Sequence, residues 1–214
     1  MKKAQAVNII GGADGPTSIF LVTNEKKQTI KQRLREIKYQ FKKAWVEKHI
    51  SQGSHTLEEV CKYIKDKYGF CEIDKNTKEY QEEYVYLRSS FLMQHAPWLL
   101  GEYEKSPELL SYEKEVVGNY MEAVKKREQA ALEVPKADFD IEFHKYKGIM
   151  SSASIDIIIE KRFGYIGGGA TGNKKAIKTF EKIYKDIYRY YGVTQEDIVH
   201  KTQRYNELVK TLAR

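Results

Sequence analysis

Residues 136–173 read KADFDIEFHKYKGIMSSASIDIIIEKRFGYIGGGATGN, and this stretch decides the fold. Its first third alternates polar and apolar residues, the period-two pattern of a half-buried strand. SIDIIIE (154–160) and RFGYIGG (162–168) predict two further strands. GGGATGN (167–173) then leads into a helix over about 174–191, ended by Gly192. Thr194 and Asp197 cap a last helix running through Tyr205, Leu208 and Leu212. The two final helices fit either an αα-hairpin or a loose helix-turn-helix.

Upstream the period changes to that of helices. Ile30, Leu34, Ile37, Phe41, Ala44 and Trp45 step by three and four and predict an amphipathic helix over about 26–50. Thr56 and Glu59 form a capping box for a second helix that Gly69 ends. A third helix is expected over about 77–95, stopped by Pro97, and a fourth from Pro107 to about Leu132. The fold class expected is therefore α+β, helix-rich, with a small antiparallel sheet. The division expected is 1–134, a hairpin plus a helical block, and 135–214, strands followed by two helices. A single domain is the alternative, and 214 residues suit either.

The chain opens differently. Residues 7–10 and 17–22 predict two short strands, free to join the main sheet. Between them, Gly11-Gly12, Asp14-Gly15 and Pro16 read as a hairpin loop rich in residues that allow positive φ. GGADGPTSIF (Gly11–Phe20) also closely resembles a motif in the β subunit of sodium-translocating decarboxylases. In that family the motif's aspartate belongs to the intramembrane ion path, and the matching residue is Asp14. The resemblance implies at most an accessory role beside such a pump. No run approaches the ~18 apolar residues a membrane span needs, so no membrane partner is expected and the location expected is cytoplasmic. Cys61 and Cys71 lack metal or redox spacing and fit reduced thiols.

Charge is distributed unevenly around a net +7. Residues 25–50 hold nine Lys/Arg against three Glu, residues 51–134 hold 11 basic against 16 acidic, and residues 135–214 hold 15 against 10. Basic flanks around an acidic middle suit a polyanionic partner. Two stripes sharpen that. Lys27, Lys31, Arg35, Lys38 and Lys42 step by four and three along one helix face, and so do Lys174, Lys178, Lys182, Lys185 and Arg189. Tyr39, Tyr188 and Tyr190 lie near them as stacking candidates. Gly168, Gly169, Thr171 and Gly172 open a helix in the context where backbone N–H groups bind phosphate. The spacing is not that of a P-loop, because Asn173 stands where Lys belongs.

One pattern points to catalysis instead. On a strand, Asp138, Asp140, Glu142 and His144 would share a face, and Asp138, Asp140 and Glu142 could then hold Mg²⁺ or Mn²⁺ for a nuclease or nucleotidyl-transfer reaction. Alternate strand residues lie ~6.5–7 Å apart, so one ion cannot reach them all unaided. The sequence therefore leans to a binder without catalysis or cofactor. Its expected partner is nucleic acid or a nucleoprotein complex, with an acidic protein as the other partner class. The role expected is that of a regulator or inhibitor of a nucleic-acid-handling machine, of phage or mobile-element type.

Overall fold

The structure, a computed structural model, describes residues 6–9, 19–22, 29–111, 113–150 and 153–214. The fold is α+β, helix-rich, with a small antiparallel sheet. It divides into two compact units: Gln28–Asp74 with Glu142–Arg214, and Met1–Lys27 with Lys75–Ile141. The chain crosses between units at three points instead of at one cut between 134 and 135. The first two helices thereby fold with the C-terminal strands and helices.

The first unit is built on the alternating stretch. Strands β5 (Phe143–Met150), β6 (Ala153–Glu160) and β7 (Tyr165–Thr171) form an antiparallel meander, and the two-residue β4 (Cys71–Glu72) pairs on the outer edge of β5. Ile155, Ile157 and Ile159 of β6 point to one face and are fully buried, as period-two geometry requires. Tyr146 sits opposite Ile157 on that face. Gly148, opposite Ile155, is a glycine because the Phe70 ring fills its side-chain space. A Cβ there would stand 2.6 Å from the ring's Cζ. Helix α5 (Lys174–Tyr191) covers β6 and β7 and contributes Ile183, Ile187 and Tyr188 to the same core.

Helix α2 (Leu57–Tyr68) packs on α5 with Val60, Cys61 and Ile64. Its capping box forms as expected. Thr56 N–H donates to the Glu59 carboxylate at 2.7 Å, and Glu59 N–H donates back to the Thr56 hydroxyl at 3.2 Å. Gly69 ends it in the left-handed region at φ 66°. The single last helix expected from sequence is two. Helix α6 (Gln195–His200) stops at Lys201, which adopts φ 49°, and Thr202 caps α7 (Gln203–Ala213) afresh. The αα connection also carries structure of its own. Strand β8 (Gly192–Val193) pairs with β3 (Gly53–Ser54), and Arg204 clasps the carbonyls of His55, Tyr191 and Gly192.

The other unit holds α3 (Lys78–His95), a 3-10 segment (Pro97–Tyr103) and α4 (Lys114–Glu133). Helix α4 starts seven residues after Pro107, so that proline lies in the connection and not in the helix. Arg88 is buried and donates to the carbonyls of Val134, Pro135 and Phe139 at 2.7–2.9 Å, fixing the turn after α4. Arg127 does the same for Met93, Tyr103 and Glu104. Strands β1 (Ala6–Ile9) and β2 (Ile19–Val22) pair with each other, Ile9 opposite Ile19, and form a sheet of their own instead of joining the larger one. Residues 10–18, including Asp14 and most of the GGADGPTSIF motif, lie outside the described residues. No described helix is long and apolar enough to cross a membrane.

Candidate polyanion interface

Helix α1 (Ile30–His49) begins at a capping box of Thr29 and Gln32. Residues 30–38 are exposed on every side. The C-terminal half lies against α7, where Val46 is buried and Tyr39, Lys42, Lys43 and Ile50 are half-buried or packed. Lys31, Arg35, Lys38 and Lys42 form a continuous stripe beside that packed face, while Lys27 falls outside the described residues. Helix α5 carries the second stripe. Lys174, Lys178, Lys182 and Arg189 are exposed and Lys185 is half-buried, on the side away from Ile183 and Ile187.

The two stripes meet at one end, at Lys42, Lys185 and Arg189. Burial, and then the nearby charge of Lys42 with that of Arg189, pushes the Lys185 ammonium below its usual range. Glu181 acts in the other direction. Lys42 and Arg189 also line a cleft of about 480 Å³ with Trp45, His49, Leu208 and Leu212. Among the described residues, none of the stripe cations on either helix pairs with a carboxylate. Elsewhere the same residue type is neutralised: Lys65 by Glu72, Lys67 by Asp186, Lys126 by Glu122, Lys145 by Asp156, and Lys161 by Glu58 and Glu142. Gathering like charges without counter-charges is unfavourable in the free protein.

Two of the three expected stacking tyrosines are committed elsewhere. Tyr188 is buried with its hydroxyl on the Ile166 carbonyl at 3.0 Å. Tyr190 is sandwiched between His55 and Tyr63, each 3.8 Å away centroid to centroid. Tyr39 is half-buried. The aromatic groups open to solvent on α1 are Phe41 and Trp45. Trp45 stacks on His49 at 4.4 Å, and His49 Nδ1 donates to the Trp45 carbonyl at 2.7 Å.

The glycine-rich segment is a strand rather than a phosphate loop. Gly168 pairs with Ile157 and Gly169 with Asp156 along β7, and Thr171 pairs with Ser154. A Cβ at Gly168 would stand 3.3 Å from the Ile157 Cα and nearer still to the Asp156 carbonyl oxygen, so β7 needs glycine to lie this close to β6. Gly172 alone remains in the turn. Asn173, standing where a P-loop has lysine, caps α5. Its Oδ1 accepts from Lys175 N–H at 2.9 Å and Ala176 N–H at 3.1 Å, taking donors that an anion would use.

The carboxylate pattern also resolves differently. Residues 136–142 form a turn and extended chain, and strand pairing starts at Phe143. The alternating face therefore does not include Asp138, Asp140 and Glu142. Asp140 accepts from the Tyr84 hydroxyl and from Ile141 N–H. Glu142 pairs with Lys161 at 3.1 Å and belongs to the other compact unit. Among the described residues no group of three or more His, Cys, Asp or Glu is placed to hold a metal ion.

Two polar clusters escaped the sequence. Asp186 on α5 accepts from the hydroxyls of Tyr63 and Tyr68 at 2.6 and 2.5 Å and from Lys67 at 2.7 Å, pinning α2 to α5. Burial alone would raise its carboxyl, but those three donors outweigh burial and hold it down at about 2. The hint was an acid, one of two with Glu181, on an otherwise basic helix. The second is a chain of charges across the β4–β5 side. Glu58 and Glu142 flank Lys161, His144 Nδ1 meets Glu72 at 2.6 Å, and Lys65 meets Glu72 at 3.5 Å. Both are made by residues far apart in sequence, so no local spacing announces them. No family model, curated protein or solved structure matches this chain.

Proposed function

We propose that this chain binds nucleic acid, free or within a nucleoprotein, through the basic faces of α1 and α5. The observation that carries the reading is the meeting of Lys42, Lys185 and Arg189 from two helices, continued in both directions by cations that have no carboxylate partner among the described residues. Spaced along helix faces, such cations follow a phosphate backbone and leave base edges unread, so the binding is sequence-tolerant. Phe41 and Trp45 stand beside the stripe on α1, where unpaired bases stack.

Fluorescence anisotropy with single- and double-stranded DNA and RNA over a salt series tests this. Each neutralised phosphate contributes about −0.9 to the log–log salt slope on duplex DNA and about −0.7 on a single strand. Lys31→Glu/Arg35→Glu/Lys38→Glu, and separately Lys178→Glu/Lys182→Glu/Lys185→Glu, weaken binding across all sequences and flatten the slope. Both triplets keep the wild-type circular dichroism. Failure of the wild type to bind any of the four nucleic acids at low salt overturns the reading.

A further inference from the structure

Helix α1 has two opposite faces, and only one is used within its compact unit. Val46 and Ile50 pack toward α7. On the far side Ile30, Leu34, Phe41 and Trp45 are 78%, 60%, 75% and 62% exposed, and Ile37 is more than half exposed. The helix thus presents to water the apolar stripe that defines it in sequence. Such a contiguous exposed stripe marks an interaction surface.

We infer that this stripe is the docking surface for an acidic amphipathic helix of a partner protein. Three observations select that occupant. Ile30, Leu34, Ile37, Phe41 and Ala44 step by four, three, four and three, which is the a/d spacing of a coiled-coil seam. Such a seam is narrow. Arg33 and Lys38 stand close on its two sides and Lys48 continues its line, whereas a lipid surface fits a broader apolar face. The flanking e and g positions from residue 31 to residue 38 are Lys31, Arg33 and Lys38, all basic and all without a carboxylate partner among the described residues; Gln40, Trp45 and Glu47 take these positions further along. Flanking charge sets partner choice, and this flank selects Glu or Asp opposite. Self-pairing is disfavoured by the same residues. A parallel pair sets Arg33 against Lys38 of the second copy, and an antiparallel pair centred on this region sets Lys38 against Lys38.

The chain has two tryptophans, so Trp98→Phe leaves Trp45, beside the seam, as the sole reporter. The probe is a tryptophan-free three-heptad peptide with Leu and Ile at a and d and Glu at e and g. It shifts Trp45 emission to the blue and binds the full chain, more weakly as salt rises. Leu34→Asp/Ile37→Asp weakens that binding at least tenfold, and Leu34→Ala/Ile37→Ala weakens it without adding charge. Both keep the wild-type circular dichroism, because the positions are exposed. Nucleic-acid binding is retained in the alanine pair, which separates this surface from the polyanion reading. The inference is overturned if a scrambled peptide of equal composition, or one with Lys in place of Glu, binds as well. It is overturned equally if the seam variants bind unchanged. Sedimentation showing a dimer abolished by the alanine pair assigns the face to a second copy instead. Seam-dependent binding to phosphatidylserine-containing vesicles in preference to the acidic peptide assigns it to lipid.

Discussion

Replacing Gly192 with alanine tests whether the junction between α5 and β8 is built as described. Gly192 ends α5 at φ 59°, ψ −160°. That is a region of backbone space open almost only to glycine, and forcing another residue there costs ~1–3 kcal/mol. Space is also lacking. An added Cβ would lie 2.8 Å from the Gly53 carbonyl carbon and closer to its oxygen, and those atoms belong to the strand that pairs with β8. Relief requires β3 and β8 to part, which removes one or two hydrogen bonds at ~0.5–1.5 kcal/mol each. The sum is roughly 1.5–6 kcal/mol, or a fall in melting temperature on the order of 10 °C for a chain of this size. Gly53→Ala is the control, since a Cβ there meets nothing within 4 Å. It should stay within ~0.5 kcal/mol of wild type. Both are read by urea unfolding followed by circular dichroism. A Gly192→Ala protein as stable as Gly53→Ala would refute the β3–β8 pairing and the backbone angle assigned to Gly192.

Two further predictions concern buried and half-buried carboxylates. Asp186 has a folded pKa depressed to about 2 from 3.8, so its contribution is full above the unfolded value and is lost as pH falls from about 4 toward 2. Asp186→Asn should therefore be less stable than wild type at pH 7, and the gap should narrow on acidification through that window. A gap independent of pH would refute the three-donor clamp. Glu160 is fully buried, and its oxygens accept from the N–H groups of Glu142, Arg162 and Phe163 at 2.7–3.0 Å. Glu160→Ala leaves those three donors without that acceptor and should cost about 2–4 kcal/mol in chemical unfolding, whereas Glu160→Gln, which keeps one carbonyl oxygen, should cost less.

Local signals in the sequence translate directly into local structure. The Thr56–Glu59 box, the Gly69 stop and the isoleucine run of β6 are each decided within a few residues, and each appears where the pattern places it. The basic stripes were legible for the same reason, since helical period alone puts them on one face. What was not legible depends on partners distant in the chain. Gly169 and Thr171 look like a loop until β6 is known to lie against them. Asp140 looks like a metal ligand until Tyr84, 56 residues upstream, claims it. The stripe of α1 reads as a core face, because periodicity reports that a helix is two-sided and not which side its own chain covers. Lys201 adopts a left-handed conformation that its residue type does not advertise, so α6 and α7 read as one helix.

The Ile166 carbonyl accepts two hydroxyls, from Tyr184 at 2.8 Å and Tyr188 at 3.0 Å. These tyrosines lie one turn apart on α5, and both reach the same atom of the outermost strand. The pair acts as a key in a slot. Rotating the helix about its axis breaks both bonds together, and sliding it by a turn puts Phe180 or Gly192, neither of which carries a hydroxyl, in place of one tyrosine. The azimuth of α5, and with it the compass bearing of every lysine on the opposite side, is thus set by a backbone oxygen that side-chain repacking cannot move. An array aimed in advance loses little orientational freedom when a ligand arrives. The lysines can stay flexible at their tips while the direction they serve is held by the sheet.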